Sequence, residues 1–123
     1  MPSILAIDDD KEYAPFLERY LVKLGFEAAF VTSGDLGLEW CKTRRPDLIL
    51  LDWCLKKGFS GKETLRIFKS QDSTREIPVV VISGLKEGPE DEIEACESGA
   101  VQFFSKHEIS DSIPQMEAFR RHL

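Results

Sequence analysis

The chain has 123 residues, 42% hydrophobic and 31% charged, the balance of one folded domain with a single core rather than of a disordered chain. Lys and Arg number 16 against 22 Asp and Glu, and the net charge of −6 argues against a nucleic-acid surface, which would have to be basic to neutralise phosphates. No apolar run is long enough to span a bilayer, and the start MPSILAIDDD turns acidic at once, unlike a secretory leader. Cys41, Cys54 and Cys96 are odd in number and lack CxxC spacing, so neither a disulfide framework nor a zinc site is expected. The expectation is a reduced, cytoplasmic domain over residues 1–123, with neither nucleic acid nor membrane as a direct partner.

In chain order, the first short apolar run is Ile4–Ile7, continuous enough for a strand buried on both faces. Tyr13, Phe16, Leu17, Tyr20, Leu21 and Leu24 then fall on one face of a helix, with Asp10 as its N-cap, Pro15 in its first turn and Gly25 as its terminator. Ala28–Val31 is a weaker strand. Gly34–Arg44 reads as a helix that must stop before Pro46. Leu48–Leu51 is the next buried strand, and Ser60 with Glu63 forms a capping box that opens a helix carrying Leu65, Ile67 and Phe68. Val79–Ile82 is a strand, Pro89–Ser98 a helix, Val101–Phe104 a weaker strand and Ser110–His122 a closing helix. This strict strand–helix alternation predicts an α/β fold: a five-stranded parallel sheet, doubly wound by right-handed crossovers.

In open sheets of this kind ligands bind beyond the carboxyl ends of the strands. There the sequence places Asp8, Asp9 and Asp10 after the first strand, Asp52 after the third, Ser83 after the fourth, and Ser105 with Lys106 after the fifth. Two ionised carboxylates about 4 Å apart repel by roughly 4 kcal/mol at an effective dielectric near 20, so such a cluster wants a cation. Hard carboxylate oxygens suit Mg²⁺, which keeps part of its water and often bridges to phosphate. Lys106 can oppose an anionic ligand and Ser83 can donate to a phosphoryl oxygen. The chemistry that fits is phosphoryl transfer onto a carboxylate, with Asp52 the nucleophile because it stands alone on a central strand. Each residue alone has an ordinary reading: an acidic turn, a serine before a turn glycine, a surface lysine. Their convergence on one edge favours the site.

The segments ILAIDDDKE, PDLILLD, VVVISG and GAVQFFSK, in that order and spacing, resemble the receiver domain of two-component response regulators. The resemblance covers essentially the whole chain. It implies the flavodoxin-like strand order 2-1-3-4-5, with Asp8 and Asp9 as the pair that holds Mg²⁺ and Asp52 as the phosphorylated aspartate. It further implies that Cys54 gives a backbone carbonyl to the metal, that Ser83 is the switch hydroxyl, and that Gly84 leaves the phosphate accessible. Lys106 matches the family's lysine and Phe103 its aromatic switch position, with Phe104 expected inside the core. A histidine kinase or histidine phosphotransfer protein would donate the phosphoryl group to a domain that catalyses its own phosphorylation and later hydrolysis. Phosphorylation would then alter the face made by the fourth helix, fifth strand and fifth helix, read by a downstream protein or a fused output domain.

Two stretches depart from the family pattern. DWCLKKGFSG lacks the usual proline and is a residue longer, and His107 follows Lys106 where proline, usually in a cis bond, is the rule. A cis bond before a non-proline residue costs about 2.5–4 kcal/mol, so trans is expected at Lys106–His107. These departures motivate an alternative, a phosphorylation-independent interaction module on the same fold. A flavoprotein of similar winding is disfavoured, because three carboxylates after the first strand would repel a flavin phosphate. An aspartate-nucleophile phosphatase is disfavoured too, since it places the nucleophile after the first strand and needs a cap region. His107 and His122 read as surface residues, and the acidic run Glu87, Glu90, Asp91, Glu92, Glu94 and Glu97 as a solvated helix face. Cys54 and Leu85 flank the crevice and are expected to influence hydrolysis.

Overall fold

Apolar residues, mostly Ile, Leu and Val, occupy consecutive positions in three short runs, so both faces of each strand must be covered, as helices on either side of a parallel sheet do. The computed structural model describes residues 2–84 and 89–106. Among these it holds β1 (Ser3–Ile7), α1 (Tyr13–Lys23), β2 (Glu27–Val31), α2 (Gly34–Trp40), β3 (Leu48–Asp52), α3 (Gly61–Ser70), β4 (Val79–Ser83), α4 (Pro89–Glu97) and β5 (Gln102–Ser105). The strands are parallel in the order β2-β1-β3-β4-β5, as the resemblance implies. The expected fifth helix, Leu85, Glu87, His107 and His122, and with them the Lys106–His107 peptide geometry, lie outside the described residues.

Every residue of β3 and β4 is buried, and so are the last four of β1. Alternate side chains of these strands enter two cores. Ile4, Ala6, Leu48, Leu50, Val80, Ile82 and Phe104 pack beneath α1 with Leu17 and Leu21. Leu5, Ile7, Ile49, Leu51, Val79 and Val81 pack on the other face with Leu65 and Phe68 of α3 and Ala95 of α4.

Local signals set the ends of the elements. Gly25, at φ +88°, lets the amide of Phe26 reach the Leu21 carbonyl and its own amide the Val22 carbonyl, which closes α1 in a Schellman motif. The N-cap position of α1 falls on Glu12, which makes no side-chain cap, rather than on Asp10 as expected. Asp10 instead caps the turn that leads into the helix, its carboxylate accepting the amides of Glu12 (3.0 Å) and Tyr13 (3.2 Å) and its carbonyl that of Ala14. The capping box on α3 is present in both directions, Glu63 N–H to Ser60 Oγ and Ser60 N–H to Glu63 Oε1. Two boundaries differ from expectation. α2 ends at Trp40 rather than Arg44, because the amides of Lys42 and Thr43 turn to carbonyls three residues back and tighten the chain into a turn. β5 runs one residue later than expected, since Val101 is 40% exposed and joins the sheet only through its amide, to Val79.

Candidate functional site

The chain leaves β1 for β2 on one side of the sheet and returns to β3 on the other, so a crevice opens above the carboxyl ends of β1 and β3. Ile7 pairs with Leu51, which sets Asp8 and Asp52 just beyond adjacent positions of neighbouring strands. Ser83 ends β4 opposite Ser105, and Lys106 follows at once. Asp9, Asp10, Thr32, Asp52, Cys54, Lys56, Gly84 and Lys106 are among the residues lining the crevice, which measures about 880 Å³. Gly61 gives the close approach that holds Asp52 in place: a Cβ there would stand 2.6 Å from Trp53 Cα and 2.7 Å from the Asp52 carbonyl oxygen.

Asp8 and Asp52 are buried, at 4% and 3% exposure, and Asp9 is half-buried beside them. One carboxylate oxygen from each of the three lies within 4.8 Å of the others. Backbone donors orient them: Asp10 N–H to Asp8 Oδ1 (2.9 Å), Cys54 N–H to Asp52 Oδ1 (3.0 Å) and Lys56 N–H to Asp9 Oδ2 (2.9 Å). Lys106 Nζ stands 2.7 Å from Asp8 Oδ2, 3.8 Å from Asp52 Oδ2 and 3.9 Å from Asp10 Oδ2. Burial, and then the Asp8 charge, push the Asp52 carboxyl up to about 7, against the pull of the Cys54 amide and of Lys106. For Lys106, burial pulls the pKa down, but Asp8, Asp52 and Asp10 outweigh it and the ammonium is held more firmly than an ordinary lysine.

One ammonium thus serves three carboxylates. Asp8 Oδ2 is fully buried, and the Lys106 ammonium that pairs with it at 2.7 Å is shared with Asp10 and Asp52. A buried anionic oxygen left in that condition, in an oxygen-only donor set, fits a hard divalent cation such as Mg²⁺. Asp8, Asp9 and Asp52 are the side chains that could hold it.

The other expected positions fall as follows. Ser83 is fully buried, with its Oγ 3.6 Å from Cys54 Sγ. Gly84 lies on the crevice wall, where a Cβ would touch the Lys106 stem at 3.4 Å. Phe104 is in the core as expected, and Phe103 is half-buried against the layer beneath α3 and α4 rather than in the crevice wall. Three contacts went unanticipated. The Lys56 amide binds Asp9; Asp10 shares Lys106 as well as capping the turn into α1; and Tyr13 covers Lys106. Its ring centroid lies 4.6 Å from Nζ, and its hydroxyl donates to the Lys106 carbonyl at 3.4 Å. Burial, then the Asp8 charge, push the Tyr13 phenol well up, so it remains a donor. The signal for Tyr13 was its place on the first turn of the helix that leaves the acidic cluster.

Comparison with known proteins agrees with this geometry. The model of the response regulator receiver domain matches residues 4–116. The response regulator PleD of Caulobacter vibrioides is 36% identical over 103 residues, 84% of this chain and 22% of PleD. The phosphate regulon transcriptional regulatory protein PhoB of Escherichia coli is 32% identical over 103 residues, 84% of this chain and 44% of PhoB. The chain therefore spans less than half the length of these curated relatives. The signal receiver domain of a signal transduction histidine kinase from Syntrophus aciditrophicus superposes with a TM-score of 0.84 at 26% identity, covering 100% of this chain and 90% of that one.

Proposed function

Because this chain belongs to the response regulator receiver domain family, we propose that it is a phosphorylation-dependent signalling switch whose phosphoacceptor is Asp52. The observation that carries this reading is the juxtaposition of a buried Asp52 with Asp8, Asp9 and the Lys106 ammonium at the switch point of the sheet. In the proposed step an oxygen of Asp52 attacks the phosphorus of a phosphohistidine on a histidine kinase or phosphotransfer protein. The P–N bond breaks, its electron pair leaves with the imidazole, and an acyl phosphate forms on Asp52. Hydrolysis resets the switch: water attacks phosphorus, the bond from phosphorus to the Asp52 oxygen breaks, inorganic phosphate departs and the Asp52 carboxylate is restored.

Each side chain has a defined task. Asp52 must be ionised to act, and with its carboxyl held at about 7 it is only partly so at neutral pH without a cation. Lys106 offsets charge on the phosphoryl oxygens, and Ser83, in contact with Cys54 and one residue from the crevice wall at Gly84, donates to one of them. Mg²⁺, held by Asp8, Asp9, Asp52 and the Cys54 carbonyl, would supply the remaining positive charge. Ser83 and Phe103 are the switch residues through which phosphorylation alters the face of α4, β5 and the fifth helix. Phe103 packing against the layer that includes Ala95 of α4 supports that route. The three free cysteines suit a reducing cytoplasm, and residues 1–123 act as one receiver, alone or fused to an output domain that reads its state.

Intact-protein mass after incubation with phosphoramidate, with and without Mg²⁺, tests this. A Mg²⁺-dependent gain of one phosphoryl group, absent in Asp52→Asn, is expected. An equal gain in the variant would move the phosphoacceptor elsewhere, and no gain at all would favour the phosphorylation-independent interaction module.

A further inference from the structure

Lys106 is the single crevice cation that touches Asp8, Asp10 and Asp52 among the described residues, and its reach decides where its charge acts. A lysine side chain has four rotatable bonds and is costly to hold still. Here its side chain is 11% exposed, its stem runs past Gly84, and its ammonium lies over the face of Tyr13. The residue after it is histidine, so no proline ring restrains the chain there. From these contacts we infer that Tyr13 is a positioning residue for phosphoryl transfer, clamping Lys106 twice: by its ring on the ammonium and by its hydroxyl on the Lys106 backbone carbonyl.

The two contacts do different things. The electron-rich ring face attracts the ammonium and takes the place of water on that side, so the charge stays in the crevice with little screening. The hydroxyl ties the exit of β5 to the first residue of α1, whose amide the Asp10 carboxylate accepts. Phe16 packs against Tyr13 in a tilted pair, with ring centroids 5.7 Å apart and ring planes at 43°, and limits the ring's freedom to swing away. Asp8 draws the ammonium to 2.7 Å, while Asp52 lies at 3.8 Å. The ring holds Nζ on the side from which both carboxylates can be reached, so a short movement brings it to a group on Asp52.

The inference rests on the phosphoacceptor reading, and the test separates the two. Rates of phosphorylation by phosphoramidate at saturating Mg²⁺ are measured by intact mass for wild type, Tyr13→Leu, Tyr13→Phe, Lys106→Met and the double variant Tyr13→Leu with Lys106→Met. Tyr13→Leu is expected to react about tenfold more slowly, within the range of a desolvated cation–π contact. Tyr13→Phe keeps the ring and should fall by no more than about threefold, the scale of one hydrogen bond. Mg²⁺ affinity, read from Trp53 fluorescence, should be unchanged in both, whereas a merely structural loss would weaken it. If Tyr13 acts through Lys106, the double variant reacts at the rate of Lys106→Met alone. A wild-type rate in Tyr13→Leu, or a tenfold loss that persists without Lys106, overturns the clamp while leaving Asp52 as phosphoacceptor. A wild type that takes up no phosphoryl group overturns both readings. Should Tyr13→Leu melt early, Tyr13→Met and Tyr13→Phe give the same comparison, with Tyr13→Met expected to be as slow as the leucine variant was meant to be.

Discussion

Replacing Asp52 by asparagine should stabilise the metal-free protein at alkaline pH. The Asp52 carboxyl is raised from 3.8 to about 7, first by burial and then by Asp8. At 1.36 kcal/mol per pH unit that interval corresponds to about 4 kcal/mol of penalty for keeping the folded carboxyl ionised. Coulomb's law gives a similar scale: carboxylates within 4.8 Å repel by roughly 3–4 kcal/mol at an effective dielectric of 20, and Lys106 at 3.8 Å from Asp52 opposes this. Asparagine removes the charge and keeps an oxygen for the Cys54 amide, but it loses Lys106 and must itself be desolvated at about 1–3 kcal/mol. The net gain expected at pH 8 is about 2 kcal/mol. The sign with pH is definite. The folded pKa lies above the unfolded one, so the contribution is fully present below pH 3.8 and is lost as pH rises through about 7. Lys106, raised above 10.5, acts only at much higher pH. Urea unfolding with chelator, followed by tryptophan fluorescence at pH 5.5 and pH 8, should show the variant's midpoint higher by about 1 M at pH 8, and by clearly less at pH 5.5. A variant less stable than wild type at pH 8, or an advantage independent of pH, would refute the reasoning.

Four other outcomes are expected. Asp9→Asn should weaken Mg²⁺ binding at least about tenfold in a Trp53 fluorescence titration, because it removes one of three clustered carboxylates. Gly61→Ala should cost about 2 kcal/mol or more in urea unfolding, since the new Cβ meets the backbone of Asp52 and Trp53 and neither can move without the site. Ser60→Ala should cost about 1 kcal/mol by the same measurement, through loss of the α3 capping box. Under native conditions at pH 7.5, iodoacetamide followed by peptide mass mapping should label exposed Cys96 well before Cys41, whose thiol burial pushes up to about 11.

The elements that were legible in the sequence share one property: their signals are local. β1, β3 and β4 are continuous apolar runs because both faces are covered, and the same burial is seen at every residue of β3 and β4. Gly25 stops α1 because a left-handed residue is needed there, and Ser60 with Glu63 opens α3 because two amides need partners. The carboxylates, Ser83 and Lys106 could be gathered on one edge because strand ends in a parallel sheet all face the same way. Where local signals were weak, the boundaries slipped. The end of α2 depends on which carbonyls the amides of Lys42 and Thr43 choose, and the start of β5 on where Val101 meets Val79.

What the residues alone determined was therefore the alternation of strand and helix, the winding it permits and the chemical types at the strand ends. Only the tertiary structure decided how those groups share charge. It put the Lys106 ammonium nearer Asp8 than Asp52, brought the Lys56 amide onto Asp9 and kept Phe103 out of the crevice wall. It also laid Tyr13 over a lysine 93 positions away. The reason is physical: periodicity and capping are fixed within a turn or two of chain, whereas a contact between α1 and the end of β5 exists only once register and packing have set their separation.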